Sequence, residues 1–399
     1  MDGVDIIRTN GENTKRSDHE AAVLERYGNA AQEVESCLCL PVSYDPALLK
    51  VIPEEILEKD YGCGDPSRYV REGETVLDLG SGSGKACYIV SQIVGAGGKV
   101  IGVDFNPPML ELARKYRRTI GDRLGYHNVE FRRAKIQDLQ TNLELVDRYL
   151  QDNPVRSVAD LARLEDYENR IRREQPLIAD ESIDVIVSNC VLNLVRPEDK
   201  KSLFAEMYRV LKRGGRIAIS DIVSDEPVPE HLAKDPDLWS ACVSGAFEEE
   251  DFLRAFEEAK FYGIQIEELR SEAYQTVEGI EFRAITVTAH KGKEGPCIER
   301  NQAVIYRGPW KQVIDDDGHT LPRGVRIAVC DKTFKLYSQP PYDGQFIIVA
   351  PREDVPIEKA GVFDCSRDHR RHPRETKGMD YNATQLSGSV CGPDSNCCP

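Results

Sequence analysis

Short apolar runs alternate with segments of helical periodicity between residues 75 and 224. The runs are rich in β-branched residues and have the length of buried strands: TVLDL, KVIGVD, NVEFRR, IDVIVSN and GRIAIS. Between the last two runs, Leu203, Met207 and Val210 recur at the spacing of one helix face. Regular alternation of strand and helix predicts an α/β fold, a doubly wound parallel sheet with right-handed crossovers.

Other segments flank or interrupt this predicted core. Between the third and fourth strands the chain is charged and longer than a crossover needs, which indicates an inserted pair of helices. The predicted domains are a helical N-terminal segment (1–66), the core (67–225) with its insertion (140–178), a substrate-binding domain (226–295), a small β-rich domain (296–365) and a disordered tail (366–399).

The predicted β-rich domain shows a different pattern from the core. Short apolar segments, which we predict to be strands, are separated by turn sequences such as DDDGH and YDG: QAVIYRG, RIAVCD, FKLYSQ and QFIIVAP. The polar tail that follows is rich in Gly, Ser and Asn, and such a composition cannot bury enough apolar surface to fold.

Composition narrows the class of protein. Of the 399 residues, 40 % are hydrophobic and 30 % charged, as in globular proteins. No apolar run approaches the ~20 residues that span a bilayer, and the first residues lack a signal peptide's apolar centre, so we expect a cytoplasmic protein without a membrane partner. A net charge of −16 repels phosphate backbones, which excludes nucleic acid as an expected partner.

A glycine-rich loop, VLDLGSGSGK, joins the first strand to a helix. Its glycines, Gly80, Gly82 and Gly84, allow a tight turn and a close approach of the backbone to a ligand. Asp78 lies at the strand end, where it can orient the loop. Asp104 ends the second strand, where a carboxylate accepts hydrogen bonds from the ribose hydroxyls of an adenosine.

Two adenosine cofactors fit this arrangement. Dinucleotide-binding folds typically have the sequence GxGxxG, whereas the loop of this chain has DxGxGxG. The loop resembles the first motif of class I methyltransferases, as do the SN of the fourth strand and YRVLKRGGR before the fifth. The resemblance implies a seven-stranded Rossmann-like core that binds S-adenosylmethionine; a dinucleotide is the alternative. The predicted cofactor-binding residues are Tyr61, Asp78, Gly80, Ser81, Gly82, Gly84, Asp104, Phe105, Ile136, Gln137 and Asn189.

The twelve cysteines form no CxxC pair, so a zinc ribbon or a thioredoxin-type motif is poorly supported. Cys63 lies in YGCG, Cys190 in SNCVLNL at the carboxyl end of the fourth strand, and Cys242 in LWSACVSGA. Any one of them alone is more typical of a small buried apolar residue, the interpretation we keep for Cys87 and Cys330.

The three cysteine motifs, in this order around the glycine loop, resemble the arsenite methyltransferases over residues 17–294. The resemblance implies that Cys63, Cys190 and Cys242 bind trivalent arsenic, as arsenite or its thiol conjugate. It also implies a disulfide cycle that uses a fourth cysteine, Cys37 or Cys39, and a reductant, thioredoxin or glutathione. Ala241 stands where the family often has an acidic residue, and GSGSGKA replaces the common GCGTGRD.

The chemistry of arsenic is consistent with these thiols. Trivalent arsenic is soft and prefers sulfur ligands, and its lone pair can attack a sulfonium methyl without help from a base. Two other hypotheses stay open: methylation of a small organic acceptor such as a sterol or quinone, and a non-enzymatic thiol protein that senses metalloids. An oxygen or carbon acceptor usually needs a general base, and none of the seven histidines stands in an evident place for one.

Overall fold

The computed structural model describes residues 19–33, 35, 42, 44–59, 61–366 and 370–383. The chain divides into two compact units, Met1–Gly292 and Lys293–Pro399. Within the described residues, no helix combines the length and the apolarity that a membrane span requires.

In the first unit, helices and strands largely alternate between residues 75 and 224. In chain order its elements are α1 (His19–Ala30), α2 (Pro46–Leu49), α3 (Glu54–Glu58), β1 (Thr75–Leu79), α4 (Lys85–Val94), β2 (Lys99–Asp104), α5 (Pro107–Leu124), β3 (Val129–Arg133), α6 (Leu143–Asp152), α7 (Val158–Glu174), β4 (Ile183–Asn189), α8 (Pro197–Val210), β5 (Leu211–Ser224), α9 (Glu230–Ala233), α10 (Pro236–Ser240), β6 (Phe247–Glu248), α11 (Glu249–Glu258), β7 (Tyr262–Leu269), β8 (Gln275–Val277) and β9 (Ile280–His290).

Seven of these strands form the continuous path of one sheet, in the order β3-β2-β1-β4-β5-β9-β7, with β6 and β8 as short additions. Strands β1 to β5 are parallel, and β9 is antiparallel to both of its neighbours. The strand order reverses between β1 and β4, so their carboxyl ends face a crevice where such sheets bind ligands. This arrangement confirms the predicted doubly wound, seven-stranded core.

The core lies on both faces of the sheet because successive strand residues point to opposite sides. In β1, Val76 joins one apolar cluster with residues of α4 and α5, whereas Leu77 joins another with residues of α8 and α11. Both side chains are fully buried. Burial on both faces explains why the parallel strands read as continuous apolar runs.

The insertion between β3 and β4 contains two helices, α6 and α7, as predicted. Their rings Tyr149 and Tyr167 stack with centroids 4.2 Å apart, and the Arg172 guanidinium lies 3.0 Å from the Asp138 carboxylate near the sheet. Much of α7 is exposed, including Val158 at 84 %. The insertion therefore adds an outer layer and leaves the parallel sheet uninterrupted.

The second unit is β-rich, but the prediction of a strand at FKLYSQ is wrong. Its elements are β10 (Ile298–Glu299), β11 (Ala303–Tyr306), β12 (Gln312–Ile314), β13 (Thr320–Pro322), β14 (Arg326–Ala328), α12 (Asp331–Tyr337), β15 (Phe346–Val349), β16 (Gly361–Val362) and α13 (Pro373–Lys377). FKLYSQ falls largely in α12, where Cys330 caps the first turn and Thr333, Leu336 and Tyr337 are buried. Helical burial spacing outweighs the short apolar run.

The predicted disordered tail also begins too early. Residues 370–383 include α13, and the Arg371 guanidinium is buried with its Nη2 2.7 Å from the Glu299 carboxylate. A charged partner on β10 therefore orders a polar segment that composition assigns to disorder. Residues 367–369 and 384–399 lie outside the described part of the chain.

Candidate functional site

A cleft of about 1030 Å³, counting its solvent-open mouth, lies at the carboxyl ends of β1, β2 and β4. We call it the main cleft. All but one of the predicted cofactor-binding positions line it: Tyr61, Asp78, Gly80, Ser81, Gly82, Asp104, Phe105, Ile136, Gln137 and Asn189. Sequence reasoning thus located this cleft, although the role of each residue in it stays a prediction.

Backbone hydrogen bonds fix the glycine loop at the floor of the main cleft. The Gly80 and Ser81 amides donate to the Val103 carbonyl at 2.8 and 3.0 Å. The Asp104 carboxylate accepts from the Gly82 amide and from the Asn106 amide, both at 2.8 Å. Burial raises the pKa of Asp104, and these amide donors oppose that rise. The carboxylate therefore locks the loop and still faces the cleft.

Buried hydroxyls in the loop indicate a polar ligand. Ser81 and Ser83 line the main cleft, and in the described part of the chain their hydroxyls have no hydrogen-bond partner. Buried polar groups normally have such partners, so a ligand with polar atoms would complete the loop. Polar loop atoms and the apolar Ile136 match the two chemical halves of S-adenosylmethionine.

Gly84 is the one predicted cofactor-binding residue that does not line the main cleft. With φ at 86° it begins α4 in the left-handed region, and a Cβ there would lie 2.7 Å from the Phe131 ring. Its lack of a side chain is needed for the turn and for helix packing, not to line the cleft.

A second, smaller cavity of about 280 Å³, counting its solvent-open mouth, lies against the main cleft, and we call it the thiol pocket. Its lining includes the three cysteines that the resemblance assigns to arsenic, Cys63, Cys190 and Cys242. Cys63 and Cys190 form a disulfide with their Cα atoms 6.0 Å apart, and the Cys242 thiol donates to the Cys190 carbonyl at 3.0 Å. Cys190 also lines the main cleft, so its residue forms part of the wall between the two cavities.

Asn189 holds the YGCG segment in place. Its Oδ1 accepts from the Cys63 amide at 2.9 Å and the Gly64 amide at 3.2 Å, and its Nδ2 donates to the Gly64 carbonyl at 2.8 Å. A Cβ on Gly62 would overlap the Asn189 amide, and one on Gly64 would overlap the Ser220 side chain. The glycines on both sides of Cys63 are therefore required by close packing.

Two buried polar side chains, Asp221 and Asn193, organise the segment after Cys190. The Asp221 carboxylate accepts from the Leu192 amide at 2.8 Å and the Val191 amide at 3.2 Å. Asn193 Nδ2 donates to the Ile222 and Cys242 carbonyls at 2.7 and 3.2 Å. Asn193 therefore ties the loop that carries Cys242 to the loop that carries Cys190.

Both Cys190 and Cys242 have a left-handed backbone, with φ at 58° and 61°. Non-glycine residues rarely adopt this conformation, and it recurs where surrounding structure fixes a functional geometry. Here the hydrogen bonds of Asp221 and Asn193 supply that surrounding structure.

Helix α1 covers the edge of both cavities. Its Tyr27 lines each of them, with its hydroxyl 3.8 Å from the Cys242 sulfur. The His19 ring stacks on Trp239 at 4.1 Å, and Arg26 donates to the Ser240 hydroxyl at 3.0 Å, which joins α1 to α10. Burial, with the nearby charge of Asp221, raises the pKa of Cys242 well above its ordinary value, so this sulfur is a thiol.

The outcome for the remaining site predictions is mixed. Cys37 and Cys39, the candidates for a fourth thiol, lie outside the described residues. Sequence reasoning missed Tyr27, Asn193 and Asp221. An Asn three residues beyond Cys190 and an Asp at a strand's carboxyl end were signals, but nothing local showed which backbone groups they contact.

Comparison with known proteins gives the site a family context. Residues 71–260 match a family described as a methyltransferase domain, and residues 293–381 match a domain of unknown function (DUF8838). An arsenite methyltransferase of Aquipseudomonas alcaligenes is 32 % identical over 80 % of this chain and 87 % of its own. One from Rattus norvegicus is 31 % identical over 88 % of each chain.

A solved structure extends the comparison to the fold. The crystal structure of an arsenic(III) S-adenosylmethionine methyltransferase from Chlamydomonas reinhardtii is 28 % identical in sequence. It covers 81 % of this chain and all of its own, with a TM-score of 0.52. The shared fold is that of class I methyltransferases with an additional β-rich region.

Proposed function

Because the chain belongs to the arsenite methyltransferase family, we propose that it methylates trivalent arsenic, with S-adenosylmethionine as donor, in detoxification. The observation that carries this proposal is the position of Cys190 in the wall between the main cleft and the thiol pocket. A ligand of that sulfur lies next to the place where the methyl donor is expected.

In this proposal Cys63, Cys190 and Cys242 bind arsenic once the disulfide is reduced. Each thiol displaces one hydroxyl of arsenous acid as water, so three thiols give a neutral trithiolate. Free arsenite or a thiol conjugate can undergo the same exchange. The high pKa of Cys242 is compatible with this step because its proton leaves in the water and no buried thiolate has to form.

When bound, S-adenosylmethionine supplies an electrophilic methyl group. Asp104 and the glycine loop would hold its ribose and amino-acid portions, and Ile136 with Gln137 its adenine. The arsenic lone pair is the nucleophile, and it carries no proton for a base to remove. In keeping with this, no histidine of the described residues lines either cavity. Catalysis is then chiefly positioning of the reactants.

Formation of a disulfide would supply the two electrons that methylation requires. Arsenic that gains a methyl cation is formally oxidised from trivalent to pentavalent. If Cys63 and Cys190 leave the methylated arsenic as a disulfide, their two sulfurs return two electrons. One water molecule then binds in their place and loses a proton, so that neutral trivalent methylarsenic stays on Cys242 with one hydroxyl. The disulfide in the structure joins these same two sulfurs, which supports this pairing. Thioredoxin or glutathione would then reduce it, with Cys37 or Cys39 as the candidate relay.

Replacement of Cys190 tests this proposal. In Cys190→Ser we expect methyl transfer to arsenite to fall by about 100-fold or more, because oxygen is a hard ligand and arsenic loses its position. The affinity for S-adenosylmethionine should change little. The assay follows labelled methyl groups into arsenicals with a thioredoxin system, and calorimetry measures cofactor binding.

Cys365→Ser is the matched control, since Cys365 is an exposed thiol of the second unit that lines neither cavity. It should retain methyl transfer. Full activity of Cys190→Ser would contradict the proposal. A wild-type protein that binds the cofactor but leaves arsenite unmethylated would favour a small organic acceptor, and one that binds no cofactor would favour a thiol-binding protein.

A further inference from the structure

Three other cysteines come together in the second unit. Cys297 directly precedes β10, and Cys365 follows β16 by three residues. These strands pair antiparallel, with Ile298 opposite Val362, and the Phe363 amide donates to the Cys297 carbonyl at 2.9 Å. The pairing therefore places the segments that carry Cys297 and Cys365 side by side, although 68 positions of sequence separate them.

Cys330 joins this pair from a third segment, the start of α12. It packs in one apolar cluster with Phe363 and Cys297, and it lines a cavity of about 280 Å³ together with Cys365. Cys365 and Cys297 are hydrogen-bonding neighbours. Although the residue as a whole is exposed, desolvation of its sulfur, that hydrogen bond and the charges of Cys297 and Cys330 raise the pKa of Cys365. Each thiol thus contacts or shares a cavity with another of the three.

We propose that Cys297, Cys330 and Cys365 form a second thiol site, which binds trivalent arsenic through sulfur; the choice of arsenic rests on the proposed function of the first unit. Three thiols match the three exchangeable hydroxyls of arsenous acid, and the balanced exchange releases three waters. Soft trivalent arsenic prefers such a set, whereas zinc requires four ligands.

Binding requires the three sulfurs to converge. Within the described residues, the potential metal ligands whose donor atoms all lie within 4.8 Å of one another are Asp315, Asp317 and His319, not these cysteines. Cys365 is exposed, and rotation of its side chain can carry its sulfur toward the two more buried thiols. Arsenic binding would therefore fix Cys365, as ligand sites commonly form only with the ligand present.

The test counts arsenic atoms on the reduced full-length chain. In a background with Cys391, Cys397 and Cys398 changed to Ser, equilibrium dialysis with arsenite and elemental mass spectrometry should give about two atoms per chain. Cys297→Ser/Cys330→Ser/Cys365→Ser should remove about one of them and leave methyl transfer intact. Undiminished binding by this variant would overturn the proposal.

The matched variant Cys63→Ser/Cys190→Ser/Cys242→Ser separates the two sites. It should lose methyl transfer and keep about one arsenic atom, whose X-ray absorption spectrum shows sulfur neighbours. No arsenic on this variant would overturn the second site. If the wild type fails to methylate arsenite but this variant still binds it, the proposed function fails and the second site stands.

A single substitution provides the same test in case the triple variant does not fold. Cys365 is exposed, so Cys365→Ser should fold normally and still weaken arsenite binding at the second site by about tenfold or more, since one sulfur ligand is lost. Unchanged affinity in this variant, or displacement of the arsenic by stoichiometric Zn²⁺, would refute the assignment.

Discussion

The main cleft and the thiol pocket share a wall but are built in different ways. The glycine loop at Gly80 and Gly82, hydrogen-bonded to the end of the adjacent strand at Asp104, forms the floor of the main cleft. The thiol pocket gathers Cys63, Cys190 and Cys242 from three distant segments and is held by hydrogen bonds of polar side chains, chiefly Asn189. The difference teaches that the proposed cofactor site depends mainly on a local motif, whereas the proposed arsenic site depends on a few long-range hydrogen bonds.

The largest expected effect follows from loss of Asn189. In Asn189→Leu the amides of Cys63 and Gly64 lose their acceptor, and we expect kcat/KM for arsenite to fall about 100-fold. Since the Asn189 amide is occupied by the YGCG segment, cofactor affinity should fall less than about fivefold. Steady-state kinetics and calorimetry measure the two effects.

Asn128→Leu is the control for Asn189→Leu. Asn128 makes comparable hydrogen bonds to Ser91 and Gly95 at the end of α4, outside both cavities. It should lower stability without a selective loss of arsenite turnover. A large loss of cofactor affinity in Asn189→Leu would contradict the proposed difference between the main cleft and the thiol pocket.

Replacement of Asp104 should have a smaller effect, and it should affect cofactor binding instead of arsenite turnover. In Asp104→Asn an amide NH₂ faces the Gly82 or Asn106 N–H donors, so the glycine loop loosens. We expect the Kd for S-adenosylmethionine to rise about 10- to 100-fold, with arsenite binding unchanged. Asp184→Asn, at the other end of the sheet and paired with Lys212, should leave both affinities unaltered. If Asp104→Asn weakened the binding of S-adenosylmethionine and of arsenite equally, the main cleft and the thiol pocket would be coupled.

The smallest effect concerns pH and Asp221. Burial raises the pKa of this carboxyl to about 6, so the anion that holds the Val191 and Leu192 amides is lost as the pH falls through that value. We expect arsenite turnover to decline by about tenfold between roughly pH 7 and 5. Asp221→Asn should be low at neutral pH and flat across this range. An unchanged pH profile in the variant would exclude Asp221 as the cause.

The contribution of Asp221 to the free energy of unfolding should change with pH in the direction opposite to its effect on turnover. The folded-state pKa lies above the ordinary value of 3.8, so the native protein binds more protons than the unfolded chain between about pH 4 and 6. The Asp221 contribution to the free energy of unfolding is therefore greatest below pH 4, and it is lost as the pH rises to 6. Its size is roughly 3 kcal/mol, measurable as a difference in urea unfolding between wild type and Asp221→Asn.

The sequence predicted the features that local segments build, but it did not show contacts between distant segments. The strands and helices of the parallel sheet and the glycine loop depend on local periodicity and local motifs, and the structure bears them out. Cys63, Cys190 and Cys242 were grouped by resemblance alone, because the disulfide joins residues 127 positions apart. No local pattern shows such a contact.

The missed features have the same physical origin. Asn193 and Asp221 act on backbone groups of other loops, and only the folded chain reveals which ones. In the second unit, the pairing of β10 with β16 is a two-residue ladder too short to leave a sequence signal. The helix at FKLYSQ was mistaken for a strand because a short apolar run fits both periodicities.

The left-handed backbone at Cys190 and Cys242 has a consequence for protein engineering. Glycine reaches φ near 60° without the cost of about 1 kcal/mol that a side chain incurs there. A library selected for heat resistance under oxidising conditions would keep Cys190, because its disulfide with Cys63 contributes ~2–4 kcal/mol, more than this strain. Under reducing conditions that contribution is lost, and glycine at either position would discard a sulfur proposed to bind arsenic. Thermostable descendants of this chain should be screened for arsenic chemistry at every round.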